Sequence, residues 1–151
     1  MAGESEARWI VVGLGNPGRG YQGTFHNAGR EVAESFARKR GVSFREQEEA
    51  LLAEHAGGWI ILPETFMNLS GRVVAPLARK KGVPPERVLV LVDDVYLITG
   101  RIRIRKGGSP AGHNGLKSIE ETLGIDVYPR VRIGIGPDPG GDFRTRYVLS
   151  R

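Results

Sequence analysis

The sequence predicts an α/β fold in which one three-layer domain, residues 1–151, contains a mixed, twisted β-sheet flanked by helices. Three observations predict it. Short β-branched runs alternate along the chain with segments of helical periodicity. The run 88–92 is apolar on both faces, as a central strand covered by helices must be. Gly57-Gly58 separates two further runs and suits a hairpin turn, so part of the sheet is antiparallel.

The first predicted elements are a strand and a helix separated by a long loop. Residues 9–12 form a β-branched run that leads into a glycine-rich stretch, residues 13–18. Apolar residues then recur at helical spacing from about Asn27. Basic side chains fill the last predicted turn of this helix, and Gly41 follows as its stop signal.

A hairpin and a second helix come next. Residues 51–56 and 59–62 supply the two hairpin strands. Either Asn68 or Ser70 can cap the following helix, because both side chains accept hydrogen bonds from backbone N–H groups. Lysines fill the last turn of that helix, and Gly82 ends it.

The second half begins with the central strand, which is predicted to end at Asp93-Asp94. Residues 101–105 alternate strictly, so three arginines share one face and two isoleucines the other. One face of this strand therefore meets solvent or a ligand. The remaining predicted elements are a glycine-rich loop, a short helix and a strand, at residues 107–115, 116–123 and 131–135.

Composition narrows the compartment and the available chemistry. The chain has no cysteine, which excludes disulfides, cysteine-ligated metals and a cysteine nucleophile. No apolar run approaches the roughly 20 residues of a membrane span. Residues 1–10 lack the apolar stretch of a secretory signal. We therefore expect a cytoplasmic protein without a membrane segment.

The net charge of +5 is unevenly distributed along the chain. Residues 1–75 carry 8 basic and 9 acidic side chains, whereas residues 76–151 carry 14 basic and 8 acidic side chains. A polyanionic partner such as nucleic acid explains the excess in the second half. Solvated surface charge explains it equally well, so charge alone does not assign a partner.

Two short patterns suggest cofactor sites, and both lack the required context. Gly13-x-Gly15-x-x-Gly18 matches the dinucleotide fingerprint, but the next helix begins too late to aim its N-terminus at a pyrophosphate. His26, His55 and His113 could join an aspartate after the central strand as metal ligands, but no HExxH spacing is present. We therefore expect neither a cofactor nor a metal.

Several side chains suited to hydrolysis follow strands or begin helices. His26 lies at a predicted helix N-terminus, where the macrodipole favours a neutral imidazole that can accept a proton from water. Asp93 could hold the other ring N–H and thereby fix the tautomer of this base. Asn16, Asn68 and Asn114 carry amides that can pair with a peptide backbone. Helix caps and turns are equally ordinary roles for these residues, so the spacing alone proves nothing.

Five blocks of sequence resemble the bacterial-type peptidyl-tRNA hydrolases. The blocks are VVGLGNPG at 11–18 with Tyr21 and TFHNAG at 24–29, PETFMNLSG at 63–71, VDD at 92–94, GHNGLK at 112–117 and YPRVRIGIG at 128–136. They occur in order and extend over nearly the whole chain. Together they are far more specific than any single motif.

The resemblance implies hydrolysis of the ester that joins a peptide to the 3′-terminal ribose of tRNA, without metal or cofactor. It implies that His26 is the catalytic base and Asp93 its orienting partner. The substrate-binding residues that it implies are Asn16, Tyr21, Met67, Asn68 and Asn114. Of these, the asparagines hold the peptide portion and position water or the oxyanion, while Tyr21 and Met67 line the cleft. The tRNA-facing residues that it implies are Arg103, Arg105 and Arg132.

The chain also departs from the family pattern. Phe25 stands where the family usually has arginine, and Val92 stands where a histidine is common. Tyr96 replaces a common acidic residue, and Ser109-Pro110-Ala111 interrupts a glycine-rich loop. The chain stops at residues 147–151, after a predicted strand, whereas the family continues into a C-terminal helix. We therefore expect one helix fewer and exposed apolar surface in its place.

We expect a monomer whose partner is peptidyl-tRNA. A non-catalytic RNA-binding protein with the same fold is the alternative. Retention of both His26 and Asp93 favours the enzyme, and tight RNA binding without any hydrolysis would favour the alternative.

Overall fold

The computed structural model describes residues 8–151, which form a three-layer α/β fold around one seven-stranded sheet. Residues 1–7, part of the stretch in which we expected no secretory signal, lie outside the described residues. The strands are β1 (Trp9–Gly13), β2 (Arg45–Gln47), β3 (Ala50–His55), β4 (Gly58–Pro63), β5 (Val88–Ile98), β6 (Ile102–Arg105) and β7 (Arg130–Gly136). The α-helices are α1 (Ala28–Arg40), α2 (Ser70–Lys80), α3 (Asn114–Leu123) and α4 (Arg144–Val148).

The sheet is mixed, as predicted, with strand order β2-β3-β4-β1-β5-β7-β6. Strands β1, β4, β5 and β7 are parallel, while β2, β3 and β6 are antiparallel to their neighbours. The predicted hairpin is the β3–β4 pair, and its turn residues are Ala56 and Gly57, one position earlier than expected. The carboxyl ends of the four parallel strands meet at one edge, where open α/β sheets bind ligands.

Helices cover both faces of the sheet. Helix α1 packs on one face against β1 and β5, and Gly29 permits the close approach because any Cβ there would overlap the Leu91 carbonyl oxygen. Helices α2 and α3 pack together on the other face, where Val74, Leu77 and Leu116 join the apolar side chains of the central strands in the core. The position of α1 brings the residues just before it to the end of β5.

Three predicted boundaries were wrong. Strand β5 does not end at Asp93-Asp94 but continues to Ile98, with a shift of its register against β7 after Asp94. Neither Asn68 nor Ser70 caps α2 through its side chain; Ser70 is the first helical residue, and its hydroxyl donates to the Met67 carbonyl. Residues 144–148 form a helix where the sequence suggested a terminal strand.

Strand β6 forms one edge of the sheet and is exposed on both faces. Its isoleucines, Ile102 and Ile104, are each 66% exposed, and the neighbouring Ile98 is 63% exposed. The alternation expected for residues 101–105 is therefore present, but the apolar face lacks a covering element among the described residues. Among the helices of residues 8–151, none has both the length and the apolar character needed to cross a membrane.

Candidate active site

A cavity of about 400 Å³ opens at the carboxyl edge of the sheet, between β5, α3 and α4. Six of the seven residues chosen for catalysis or substrate binding line it: Asn16, His26, Met67, Asn68, Asp93 and Asn114. They come from five separate segments of the chain. The fold therefore brings together most of the side chains that the sequence suggested for hydrolysis.

His26 and Asp93 are in direct contact in this cavity. His26 lies in a 3₁₀ turn (Phe25–Asn27) that leads into α1, and its Nδ1 is 2.8 Å from Oδ2 of Asp93. An ionised carboxylate only accepts hydrogen bonds, so Nδ1 carries the proton and Nε2 is left with a lone pair. Nε2 makes no hydrogen bond to the described residues. His26 therefore presents a proton acceptor to the cavity.

Asp93 is ionised although its side chain is only 2% exposed. Burial by itself raises the pKa of this carboxyl group, but electrostatic attraction and hydrogen bonds from the His113 and His26 rings outweigh burial and lower the pKa to about 2. The carboxylate is thus held by two ring nitrogens, one on each oxygen. This arrangement fixes its orientation towards His26.

The second imidazole on Asp93 belongs to His113, a residue that the sequence suggested only as a metal ligand. Its Nε2 is 2.8 Å from Oδ1 of Asp93, and its side chain is 8% exposed. Its Nδ1 accepts hydrogen bonds from the backbone N–H groups of Gly115 and Leu116, so His113 is the N-cap of α3. The position of this histidine immediately before a helix, like that of His26, was the signal that could have identified it.

The three asparagines differ in how firmly they are held. Oδ1 of Asn16 accepts the backbone N–H of Met67 at 2.8 Å, while the Asn16 backbone exchanges two hydrogen bonds with the Asn27 side chain. The amide of Asn16 can therefore only donate into the cavity, through Nδ2. Asn68 and Asn114 are exposed, and their amides make no hydrogen bonds to the described residues.

Tyr21 and Met67 occupy different levels of the cleft. Met67 is 4% exposed and forms part of the cavity floor. Tyr21 does not line the cavity itself, but its ring packs edge-on against Phe66, with 6.0 Å between the ring centroids. Phe66 is 54% exposed and lines the cavity. Phe66, which lies within the sequence block 63–71, is thus a cleft residue that was not among the predicted site residues.

His26, Asp93 and His113 are also the group in residues 8–151 whose ligand atoms lie close enough to suggest a metal, within 4.8 Å of one another. Both ring nitrogens lie 2.8 Å from a carboxylate oxygen, which is a hydrogen-bond distance. One ion would need all three atoms about 2.0–2.2 Å from a common centre. The geometry thus fits a hydrogen-bonded triad. His55 lies on β3, outside the cavity.

The three arginines chosen for the tRNA surface are not equivalent. Arg103 and Arg105 are exposed on β6. Arg132 lies opposite Arg103 in the antiparallel register, but its side chain is 11% exposed and lines the cavity. It donates to the Ser109 carbonyl at 2.7 Å and lies 4.0 Å from the Asp94 carboxylate. Arg132 therefore connects the exposed arginines to the cleft.

Comparison with known proteins agrees with this architecture. Residues 10–151 match the sequence model of a family described as peptidyl-tRNA hydrolase. A relative of that name from Thermus thermophilus is 49% identical over 142 residues, which are 94% of this chain and 75% of the relative. One from Moorella thermoacetica is 47% identical over 146 residues, which cover 93% of this chain and 77% of the relative.

A solved structure leads to the same family. The crystal structure of peptidyl-tRNA hydrolase from Acinetobacter baumannii matches with a TM-score of 0.90 at 33% identity, over 95% of this chain and 76% of that chain. The family match extends over almost all of the described residues, and the relatives bear the name of an enzyme that hydrolyses an aminoacyl-tRNA ester. The resemblance inferred from the five sequence blocks is thereby confirmed, and this chain belongs to the peptidyl-tRNA hydrolase family.

Proposed function

We propose that this protein hydrolyses the ester bond between a peptide, or an N-blocked aminoacyl group, and the 3′-terminal ribose of tRNA, and so recycles tRNA from peptidyl-tRNA. The observation that carries the proposal is the His26–Asp93 contact, with the free Nε2 of His26 facing a cavity. An oriented neutral imidazole is the side chain best suited to take a proton from water near neutral pH.

The proposed reaction uses water as the nucleophile. Nε2 of His26 takes one proton as the water oxygen bonds to the ester carbonyl carbon. The ionised Asp93 stabilises the resulting imidazolium through Nδ1–H. Collapse of the tetrahedral intermediate breaks the bond to the 3′ oxygen of the ribose, and the imidazolium returns the proton to that oxygen. The products are a peptide with a free carboxyl group and tRNA with a free 3′ hydroxyl.

The amides of the cleft position the substrate in this proposal. Nδ2 of Asn16 can donate to a substrate carbonyl or to the developing oxyanion, because its Oδ1 is already occupied by the Met67 N–H. Asn68 and Asn114 have exposed amides that can both donate and accept, which suits pairing with a peptide backbone. Tyr21 packs against Phe66 and so helps to shape the apolar wall of the cavity. Met67 forms part of the cavity floor.

Arg103, Arg105 and Arg132 form the proposed tRNA-facing surface. Arg103 lies directly across from Arg132, and Arg105 across from Arg130. Like charges opposite each other destabilise an antiparallel pair, so an anion alongside them would relieve the repulsion. Arg103 makes no hydrogen bond to the described residues, whereas Arg130 donates to the carbonyls of residues 108, 126 and 128. The exposed arginines are therefore the ones available to phosphates.

The experiment that tests the function compares blocked and unblocked substrates. We expect release of free tRNA from N-acetyl-aminoacyl-tRNA, and none from the same aminoacyl-tRNA without the acetyl group. The rate should be unchanged after dialysis against EDTA, because the proposed chemistry uses no metal. Tight tRNA binding without hydrolysis at any protein concentration would instead identify a non-catalytic RNA-binding protein on the same fold.

Two further expectations accompany the proposal. We expect a monomer by sedimentation of the same preparation, with peptidyl-tRNA as the partner. We also expect the activity to be found in the cytoplasmic fraction of cells, because peptidyl-tRNA forms in the cytoplasm. A stable dimer that hydrolyses the substrate would correct the first expectation and leave the function intact.

A further inference from the structure

Two imidazoles contact one carboxylate in the cavity, and their contacts with it are nearly symmetrical. His26 Nδ1 and His113 Nε2 each lie 2.8 Å from an oxygen of Asp93. The two rings are 5.1 Å apart between centroids. From these distances alone, either histidine could accept the proton of the nucleophilic water. Something else in the structure must distinguish them.

The distinguishing feature is the start of α3. His113 has extended backbone angles, φ −78° and ψ 117°, as an N-cap residue does. Its Nδ1 is 3.1 Å from the backbone N of Gly115 and 3.4 Å from that of Leu116. Both of these groups are donors, so Nδ1 must offer its lone pair to them. The ring proton of His113 is therefore on Nε2, where it donates to Asp93.

A proton added to Nδ1 of His113 would have to point at two backbone N–H groups at the positive end of a helix. That position would lose the capping hydrogen bonds and replace them with repulsion. Nε2 of His113 already holds a proton and faces the carboxylate. His113 thus has no site for the proton that the reaction generates. His26, in contrast, has Nε2 without a hydrogen bond to the described residues.

We propose that His113 is a positioning residue that acts through Asp93: α3 holds its ring in the Nε2–H tautomer, and this ring in turn holds the carboxylate with one oxygen presented to His26. The proposal deepens the proposed function, on which it rests, by assigning the base role to one imidazole and the positioning role to the other.

The remaining charged groups of the cavity have partners of their own. Asp94 accepts the backbone N–H of Tyr96 and lies 4.0 Å from Arg132. Arg144 pairs with Asp138 at 2.7 Å. Both arginines and Asp94 line the same cavity as the triad. Because none of them contacts Asp93, its two imidazoles are the groups that determine its hydrogen bonding.

Two variants separate the capping contact from the contact with Asp93. In His113→Asn the amide oxygen can still cap α3, since asparagine is a good N-cap, but the shorter side chain cannot reach Asp93. In His113→Gln the amide nitrogen can occupy the place of Nε2 and donate to Asp93, while the cap is lost. The matched control is His55→Asn, which changes a histidine on β3 outside the cavity.

We expect kcat for N-acetyl-aminoacyl-tRNA to fall about tenfold in His113→Asn with little change in KM, in line with the loss of an outer hydrogen-bond partner. With one donor removed, Asp93 holds the His26 imidazolium more strongly, so the acid limb of the kcat profile moves up by roughly half to one pH unit. His113→Gln should recover most of the lost kcat and restore the limb, while unfolding at lower temperature than wild type.

The tautomers can be read directly, whether or not the His113 variants fold. The chain has three histidines, so long-range ¹H–¹⁵N spectra of wild type, His55→Asn and His26→Asn assign each ring. We expect Nε2–H for His113 and Nδ1–H for His26. An Nδ1–H tautomer at His113 would overturn the proposal, as would an active enzyme in which His113→Asn leaves both kcat and the acid limb unchanged. Wild-type protein without hydrolase activity would refute the proposed function instead, and the spectra would still test the tautomer assignment.

Discussion

Asp93→Asn is the substitution whose outcome the structure defines most closely. Both carboxylate oxygens accept a ring N–H, from His26 and from His113. An amide offers one acceptor and one donor, so it can satisfy only one of these N–H groups. His113 cannot change its tautomer without losing the cap of α3, so the amide oxygen of the new asparagine should face His113. Its NH₂ group then faces His26.

The consequence for His26 follows from that orientation. Nδ1 must become an acceptor for the amide NH₂, and the ring proton moves to Nε2, the nitrogen that should take the proton from water. The base is then in the wrong tautomer, and the imidazolium has lost its counter-ion. Such a change costs about 10³- to 10⁴-fold in kcat, or about 4–5.5 kcal/mol of transition-state stabilisation.

Single-turnover hydrolysis of N-acetyl-aminoacyl-tRNA measures this loss without interference from product release. Asp94→Asn is the matched control, because Asp94 is the adjacent residue but does not contact His26. The control should lose less than about tenfold. The reasoning would be refuted if Asp93→Asn retained a tenth or more of the wild-type rate, or if ¹⁵N spectra showed His26 still in the Nδ1–H form.

Three further predictions concern stability and binding. The pKa of Asp93, about 2 in the folded protein against 3.8 ordinarily, lies below its unfolded value. The ionised Asp93 therefore stabilises the folded protein above about pH 4, and this contribution is lost as the pH falls towards 2. Over this range, urea titrations should show that wild type loses about 2 kcal/mol more unfolding free energy than Asp93→Asn. Arg103→Glu should weaken tRNA binding more at low than at high salt in filter-binding assays. Glu48 and Glu49 form a two-residue turn with φ of 50° and 63°, a conformation that asparagine and glycine adopt with less strain. The double substitution Glu48→Asn and Glu49→Gly should therefore raise the unfolding free energy by about 1 kcal/mol. This gain should exceed the loss of the exposed ion pairs Glu48–Lys80 and Glu49–Arg72.

Each of these has a result that would contradict it. Equal pH dependence in wild type and Asp93→Asn would show that the buried carboxylate does not stabilise the fold as argued. A loss of tRNA affinity that does not vary with salt would exclude direct phosphate contact by Arg103. A double turn variant that unfolds at lower urea concentration than wild type would show that the ion pairs outweigh the backbone strain at the turn.

The parts of the fold that the sequence predicted correctly are those set by local signals. Gly41 ends α1 in the left-handed conformation, with φ 68°, and the glycines near residue 57 mark the β3–β4 turn. The apolar run 88–92 lies in the centre of the sheet because both of its faces are covered. In each case the residues concerned are close in sequence, so the pattern alone carries the information.

The parts that the sequence did not predict depend on distant partners. A strand was expected to stop at two aspartates, yet β5 continues through them because Asp93 is paired with His26 and His113, and Asp94 accepts a backbone N–H two residues on. The capping role of His113 and its contact with Asp93 involve residues 20 positions apart. The spacing of apolar residues along the chain does not indicate a contact between two polar residues so far apart. The burial of Arg132 likewise depends on the loop that carries Ser109.

The most direct test of the central claim is the rate of His26→Asn measured together with its affinity for substrate. The account predicts that this variant binds N-acetyl-aminoacyl-tRNA within about threefold of wild type, because binding is assigned to the amides and arginines, and that its single-turnover rate falls by about 10³-fold or more. Hydrolysis by His26→Asn at a rate near that of wild type would show that another group activates the water and would contradict the account.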